Sequence, residues 1–195
     1  RTPENRRRCS NPGNLITLST VETRFSLLAL AAATLAFAAV AALVWKDSRF
    51  SQILRANSLP LMATIATVAT VGSLYFSEVE NFRPCRYCWF QRVPMYSLAF
   101  ILILAVIKKD HFIRPYARLL ACVGAVISIV HYLTEWFPSL ESKQCALDIP
   151  CAAVWYRSFG FVTLSFSALC GFVAILALSL LKPTSDLHNV EEEEV

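Results

Sequence analysis

The nine residues Pro84-Cys85-Arg86-Tyr87-Cys88-Trp89-Phe90-Gln91-Arg92 stand directly in front of an apolar segment that continues to Ile107. Apart from its polar entrance, the segment from Trp89 to Ile107 approaches the length of a membrane-spanning helix, which needs about 20 mainly apolar residues. This stretch therefore predicts a helix that crosses a bilayer and carries a C-x-x-C pair at the point where it enters.

The composition of the whole chain agrees with a membrane protein. Of its 195 residues, 56% are hydrophobic and 16% are charged, and the mean hydropathy is +0.51. Soluble domains have roughly 45–50% apolar and about 25% charged residues. Segments that approach the length of a span are Leu27 to Trp45, Pro60 to Phe76, Trp89 to Ile107, Leu119 to Leu133 and Phe159 to Leu181. The fourth becomes long enough when it is extended from Tyr116 across Arg118.

These segments predict an all-α fold, a polytopic membrane four-helix bundle with one additional N-terminal transmembrane helix. We divide the chain into an N-terminal tail (1–26), the extra helix (27–45), a four-helix core (58–181) and an acidic tail (182–195). A cleaved signal peptide is the alternative interpretation of residues 27–45. That segment is longer than a usual signal-peptide core and lacks a clear cleavage site, so a retained helix is favoured.

The distribution of Lys and Arg predicts how the helices are oriented. The loops after the first and third segments carry seven basic residues: Lys46, Arg49, Arg55, Lys108, Lys109, Arg114 and Arg118. The other two loops carry four: Arg83, Arg86, Lys143 and Arg157. By the positive-inside rule the first two loops are cytoplasmic and the other two, with their cysteines, are extracytoplasmic. This is also the side on which disulfides persist in a bacterium.

The N-terminal tail is the exception to this charge pattern. The predicted orientation puts residues 1–26 outside, although they contain three consecutive arginines. A chain start near Val21 would remove the conflict, because most of the basic residues of the tail precede it. A native tail and a start near Val21 are therefore the two alternatives.

The seven cysteines of the chain fall into different environments. Cys122 and Cys170 lie within apolar segments, where a thiol behaves as a small hydrophobic group, and Cys9 lies in the tail. The other four form two pairs on one side of the membrane, Cys85 with Cys88 and Cys145 with Cys151. Two thiol pairs at the membrane border predict dithiol–disulfide chemistry coupled to an acceptor dissolved in the bilayer.

Cys88 and Arg92 are expected to act together. A cysteine at a helix N-terminus or near a cation forms the nucleophilic thiolate more readily. Arg92 follows Cys88 by four residues and so lies on the same helical face, where it can stabilise the thiolate and donate to an oxygen of the acceptor. A snorkelling interfacial arginine is the alternative. Pro84 predicts a turn that presents Cys85 to the aqueous face.

His131 is an ionisable residue inside the fourth segment. Such a residue inside a membrane is a functional candidate, and His131 could donate to the acceptor or carry a proton. A structural hydrogen bond between helices is the alternative. Glu135 and Trp136 are expected at the outer border, with Trp136 as an anchor. Trp155 and Tyr156 are expected in a short amphipathic loop helix.

The order of these motifs resembles the DsbB/BdbC family of bacterial disulfide bond formation proteins. The motifs are P-C-x-x-C-W-F-Q-R at 84–92, Met95-Tyr96, His131-Tyr132, the second cysteine pair and Phe159-Gly160-Phe161-Val162-Thr163. The similarity extends from about Ser58 to Leu181. It implies a thiol–quinone oxidoreductase of the bacterial cytoplasmic membrane, which reoxidises an extracytoplasmic DsbA-like oxidase of thioredoxin fold and reduces menaquinone or ubiquinone.

The resemblance also implies a role for each cysteine. The dithiol of the partner attacks the Cys145–Cys151 disulfide, first at Cys145. Electrons then pass to the pair formed by Cys85 and Cys88, and Cys88 delivers them to the quinone. Each exchange is an attack of a thiolate on a disulfide sulfur.

With a quinone as the acceptor, Arg92 and His131 become the expected quinone-binding residues. The expected partners are the DsbA-like oxidase, membrane lipid and the quinone pool. We expect no nucleic acid and no metal.

Three alternatives remain from the sequence. A relative of vitamin K epoxide reductase would also join thiols to quinone, but in that family the loop pair precedes the C-x-x-C. A zinc site could use four thiolates, yet such sites usually combine two closely spaced pairs, and here two apolar segments separate Cys88 from Cys145. A non-enzymatic membrane protein with structural disulfides is the third.

Overall fold

The computed structural model describes residues 26–28, 30–42, 49–79, 81, 83–110, 112–140, 151, 154 and 157–181. In chain order its helices are α1 (Ser26–Ala42), α2 (Arg49–Ala56), α3 (Ser58–Glu78), α4 (Arg86–Lys108), α5 (Arg114–Trp136), a 3₁₀ turn (Pro138–Leu140) and α6 (Leu164–Leu180). Within these ranges no strand forms, and a single isolated bridge joins Ser158 to Val162. The predicted all-α class is confirmed.

Three of the helices are long and apolar enough to cross a bilayer. α3, α4 and α5 have 21, 23 and 23 residues, and their most apolar windows have mean hydropathies of 1.6, 1.8 and 1.7. α1 and α6 are apolar as well but shorter. The chain is therefore a multi-pass membrane protein, as its composition predicted.

Helices α3 to α6 form a four-helix bundle. α3 packs against α4, α4 against α5, α5 against α6, and α6 returns to α3. The centre is filled by fully buried apolar side chains, among them Met62, Leu98, Leu102, Phe172, Ile175 and Leu178. Large apolar side chains also remain exposed on the outside, including Val71, Phe100, Ile107, Leu119 and Val126. Hydrocarbon tails are as apolar as leucine, so these outer faces suit a lipid environment.

α5 and α6 approach each other closely at Gly124. A Cβ atom built at this position would lie 2.2 Å from Cε1 of Phe172, which is itself fully buried. Only a residue without a side chain fits there, because a packed core has no spare volume for an additional methyl group. Gly124 therefore sets the spacing of these two helices.

One end of the bundle carries arginine side chains that bind helix C-termini. Arg55 donates from Nη2 to the carbonyl oxygen of Ala42, the last residue of α1, at 3.1 Å. Arg118 donates from Nη2 to the carbonyl oxygen of Ser179 near the end of α6, at 2.8 Å, and Arg114 binds just beyond the same terminus. Helix C-terminal carbonyls carry partial negative charge, so cations stabilise them. The basic loops thus have a structural role at this end.

The last helix begins later than the hydropathy indicated. The apolar segment starts at Phe159, but α6 starts at Leu164. Phe159 and Gly160 have positive φ values of 53° and 80°, and a bridge across 158–162 closes a tight turn. Thr163 then caps the helix with its side chain. Apolar residues that follow the cysteine loop therefore belong to a turn at the end of the bundle.

The other segments agree more closely with their helices. α5 begins at Arg114 and includes Arg118, which confirms the extension of the fourth segment across that charge. The extra helix was expected over 27–45, and α1 extends over Ser26–Ala42, while residues 43–48 lie outside the described part of the chain. The loop after it contains a short helix, α2, which hydropathy did not indicate.

Candidate active site

Two cysteines stand at the N-terminus of α4. Pro84 leads into Cys85, the N-cap residue, whose backbone is extended with φ −73° and ψ 175°. Cys88 lies in the first turn of the helix. Its Sγ accepts a hydrogen bond from Sγ of Cys85 at 3.4 Å, and both residues are free thiols. The C-x-x-C spacing and the helix start together bring the two sulfurs into contact.

The two thiols have different surroundings. Cys85 is only 5% exposed, whereas Cys88 is half-buried. The hydrogen bond to Cys88 and burial raise the pKa of Cys85 from 9.0 to about 12. Both effects favour the protonated form of Cys85. Cys85 is therefore the hydrogen-bond donor of the pair, and Cys88 is the hydrogen-bond acceptor. The expectation that Pro84 presents Cys85 to water was wrong, because the second loop and α5 cover this sulfur.

The second cysteine loop reaches the first one. Cys151 is 1% exposed and packs against Cys85, with Tyr87 and Cys88 beside them. The loops that contain the two predicted pairs therefore meet at one end of the bundle. Cys145 lies outside the described residues, as do Trp155 and Tyr156.

The remaining cysteines belong to the helices. Cys170 is buried in α6, in agreement with a packing role, whereas Cys122 is exposed on the outer face of α5.

His131 on α5 is oriented by a chain of hydrogen bonds. Ser128 uses its hydroxyl proton on the carbonyl oxygen of Gly124 (2.8 Å), so its oxygen accepts from Nε2 of Gln91 (3.1 Å). This leaves Oε1 of Gln91 facing Nδ1 of His131 at 3.4 Å. Because an amide oxygen only accepts, Nδ1 carries the proton, and Nε2 presents a lone pair to Sγ of Cys85 at 3.6 Å. The imidazole is therefore set to accept the proton of Cys85.

Glu135 lies one helical turn beyond His131. It is 9% exposed, and its Oε1 is 3.9 Å from Nε2 of His131. Its Oε2 is buried and has no hydrogen-bond partner among the described residues. The sequence placed Glu135 at the outer border, but α5 turns this side chain into the bundle, while the next residue, Trp136, is exposed. A buried carboxyl group with a free oxygen beside an imidazole can take part in proton transfer.

Arg92 is held by α3. Its Nε donates to Oγ of Ser73 at 3.0 Å, and its Nη2 donates to the carbonyl oxygen of Ser73 at 3.1 Å and to Oγ of Ser77 at 2.9 Å. Its guanidinium also lies 5.1 Å from the centroid of the Trp89 ring. These contacts fix the charge one turn below Cys88, on the face that the helical spacing predicted.

A cavity of about 350 Å³ opens beside Cys88 and Arg92. Its polar end includes Cys88, Gln91 and Arg92, and the rest is mainly apolar, with walls from α1, α3, α4 and α6. Sites for small molecules commonly have roughly 300–1,000 Å³ and a few polar groups in an apolar lining. His131 is not among the described residues that line this cavity. Its side chain contacts Cys85 instead. The arrangement can bind an apolar molecule with a polar head.

Three side chains could also hold a metal ion. The ligand atoms of Cys85, Cys88 and His131 lie within 4.8 Å of one another. Thiolate and imidazole are the ligands that Zn²⁺ prefers. The same three groups form the dithiol centre, so a bound metal would occupy the sulfurs that thiol exchange needs.

Sequence reasoning missed the residues that support the site. Gln91 stands within the nine-residue motif at 84–92 but had no assigned role, and Ser73 and Ser77 are spaced four residues apart on one face of α3. That spacing was the available signal for an arginine partner. The burial of Glu135 had no signal in the sequence, because it depends on the packing of α5 in the bundle.

Taken together, the fold and the site define a helical membrane protein with a buried dithiol centre next to an apolar cavity. The family model described as "Disulfide bond formation protein DsbB" matches residues 55–182, more than half of the chain. The chain therefore belongs to the DsbB family and is a disulfide oxidoreductase in the general sense of that family.

Curated relatives agree with this assignment. The chain is 42% identical over 113 residues to "Disulfide bond formation protein C" of Bacillus subtilis, covering 57% of this chain and 82% of the relative. It is 42% identical over 115 residues to "Probable disulfide formation protein C 1" of Bacillus anthracis, covering 58% and 83%. With "Probable disulfide formation protein C 2" of the same organism it shares 36% identity over 126 residues, covering 65% and 90%. No solved structure matches this chain significantly.

Proposed function

We propose that the protein is a thiol–quinone oxidoreductase that reoxidises an extracytoplasmic thioredoxin-fold oxidase and passes the electrons to quinone. The observation that carries this proposal is the position of Cys88, which contacts Cys85 on one side and lines an apolar cavity with Arg92 on the other. A dithiol that borders a cavity open to hydrophobic molecules is suited to exchange electrons between a protein and a lipid-soluble acceptor.

The thiol steps follow from the two loops. A dithiol of the partner attacks the Cys145–Cys151 disulfide at Cys145; the partner becomes oxidised and the loop pair becomes a dithiol. This dithiol reduces the Cys85–Cys88 disulfide in the same way, two electrons passing at each step. The packing of Cys151 against Cys85 supports direct exchange between the pairs.

The residues around the cavity fit a quinone. A quinone supplies an acceptor for two electrons and two protons. Nε and Nη2 of Arg92 are bound to α3, while no described residue accepts from its Nη1, which remains for a carbonyl oxygen. The apolar walls exclude water and suit a hydrocarbon tail. These features support Arg92 as a quinone-binding residue, with menaquinone and ubiquinone as the candidates.

His131 and Glu135 are the proposed proton carriers of the reaction. When Cys85 and Cys88 form a disulfide, Cys85 must lose its proton, and Nε2 of His131 is the base that faces it at 3.6 Å. Glu135 lies 3.9 Å from the same nitrogen and can receive the proton in turn. The contacts of His131 favour this role over direct contact with quinone.

The cysteine end is proposed to face the extracytoplasmic side of the bacterial cytoplasmic membrane. The arginine-rich end, with Arg55, Arg114 and Arg118, lies at the opposite end of the helices and would face the cytoplasm by the positive-inside rule.

The proposal is tested with the protein purified in detergent. A reduced thioredoxin-fold oxidase is added with menaquinone or ubiquinone, and the loss of quinone absorbance is followed. We expect turnover that Cys88→Ser abolishes and that Cys122→Ser, on the outer face of α5, leaves unchanged. Absence of turnover with both quinones, in a protein that retains its helical circular dichroism, would refute the proposal.

A metal-binding protein is the second candidate, supported by the cluster of Cys85, Cys88 and His131. Elemental analysis of the purified protein separates the two. Stoichiometric zinc in active preparations would favour the metal, whereas thiol-dependent turnover in metal-free protein would favour the oxidoreductase.

A further inference from the structure

Part of the cavity wall comes from a helix outside the family match. The family model covers residues 55–182, and α1 precedes this range. Nevertheless Leu28, Ala31, Ala32 and Leu35 of α1 line the cavity that also contains Cys88 and Arg92. The cavity of this chain is thus formed jointly by the family core and an additional helix.

α1 is held in place by specific contacts with the rest of the chain. Arg55 and Ser51, both on α2, donate to the carbonyl oxygen of Ala42 at its C-terminus, at 3.1 and 3.2 Å. Ala39 and Ala42 are buried in the same core cluster as Met62 of α3. Small side chains allow close approach of helices in a membrane. The position of α1 is therefore determined by its packing against the core and by the hydrogen bonds at Ala42.

The chemistry changes along the cavity. Arg83, Gln91 and Arg92 are polar residues that line the cavity together with Cys88, whereas α1 contributes only alanine and leucine side chains, and Ile65 of α3 adds a further apolar one. A ligand that matches both parts has a polar ring at the sulfur and a hydrocarbon chain along α1.

We propose that α1 determines specificity for the tail of the quinone, with Ala32 and Leu35 in contact with its first isoprenoid units. This inference rests on the proposed function and adds to it the part of the ligand that α1 recognises. Ala32 provides the space that a tail occupies, and Leu35 provides apolar contact area. Thr34, two residues from Ala32, is exposed and does not line the cavity, so it offers a matched control position.

The experiment measures binding rather than turnover. Full-length protein in detergent is titrated with 2-methyl-1,4-naphthoquinone and with the same ring carrying four isoprenoid units, and quenching of tryptophan fluorescence gives each Kd. For Ala32→Phe we expect the Kd of the tailed quinone to rise about tenfold, corresponding to the lost burial of about two methylene groups. The Kd of the tailless ring should stay within about twofold, and Thr34→Phe should change neither value.

A second substitution protects the test against misfolding. Leu35→Ala removes contact area without adding bulk and should also weaken only the tailed quinone, whereas Val40→Ala on the exposed face of α1 should not. The inference would be overturned if the Kd values of both quinones rose equally, or if neither Ala32→Phe nor Leu35→Ala changed the Kd of the tailed quinone. Failure of the unsubstituted protein to bind either quinone would instead refute the proposed function.

Discussion

Arg92 is expected to act in the reduction of quinone and not in thiol exchange. Its bonds to α3 fix it beside the cavity, and it makes no hydrogen bond with either sulfur among the contacts of the described residues. We expect Arg92→Ala to raise the apparent KM for quinone roughly ten- to hundredfold, the effect of losing a hydrogen bond to a charged group. Thiol exchange with the oxidase should be retained, and steady-state and single-turnover kinetics separate the two.

The matched control for this substitution is Arg86→Ala. Arg86 starts the same helix and carries the same charge, but it is exposed and does not line the cavity. It should leave the KM for quinone unchanged. Equal loss of quinone reduction and thiol exchange in Arg92→Ala would indicate a disturbed fold and contradict the assigned role.

The pKa of Cys85, about 12, predicts how this thiol reacts with pH. Because this pKa is raised, the Cys85 thiolate is a minor form at pH 8, and its fraction rises about tenfold with each pH unit until the pKa is approached. Alkylation of Cys85 by iodoacetamide in the reduced, folded protein should therefore be slow at pH 8 and accelerate as the pH is raised. Mass spectrometry of the cysteine peptides measures this rate.

The same measurement on unfolded protein provides the reference. In denaturant Cys85 loses both its burial and its hydrogen bond to Cys88, so its pKa should return to that of an ordinary thiol and the thiol should react accordingly. Identical rates at pH 8 in the folded and unfolded protein would show that the Cys85 thiol is not protected.

At the level of helices, the contact between α5 and α6 has a specific requirement at Gly124. Gly124→Ala would put a methyl group 2.2 Å from the Phe172 ring, so the two helices must separate or the ring must move. We expect a loss of about 1–3 kcal/mol, which is typical of overpacking in a core. Thermal unfolding in detergent, followed by circular dichroism, measures the loss.

Gly171 on α6 is the matched control, because a Cβ there would lie 3.5 Å from Cε of Met95, an ordinary contact. Gly171→Ala should change stability by about 0.5 kcal/mol or less. Combining Gly124→Ala with Phe172→Leu should recover part of the stability by removing the ring. No recovery, or an equal loss in Gly171→Ala, would contradict the steric explanation.

For the whole molecule, the arginine end and the cysteine end define an orientation in the membrane. We expect residues 46–58 and 108–115 in the cytoplasm, because these are the more basic loops, and Arg55 and Arg114 within them bind helix C-termini at that end. A Lys109→Cys variant should react with a membrane-impermeant maleimide only after the cells are opened. Labelling of residue 109 in intact cells would overturn this topology and the shared extracytoplasmic exposure of the two cysteine loops.

Much of the architecture could be predicted from the amino-acid sequence. Hydropathy located the helical segments, and the C-x-x-C before an apolar run located the start of α4, because transfer into lipid and helix entry depend mainly on local composition. The order of the motifs indicated the family, and the match of the DsbB family model to residues 55–182 confirmed it. The start of α6 was predicted too early, since positive φ angles at Phe159 and Gly160 are set by the turn rather than by hydropathy.

The arrangement of the site depended on contacts between helices that are distant in the chain. Burial of Cys85 by the second loop, the orientation of His131 through Gln91 and the inward position of Glu135 each join residues from different elements, so local pattern and spacing carried no signal for them. The contribution of α1 to the cavity has the same cause. Hydropathy and charge determine which segments enter the membrane, whereas packing determines which of their side chains meet.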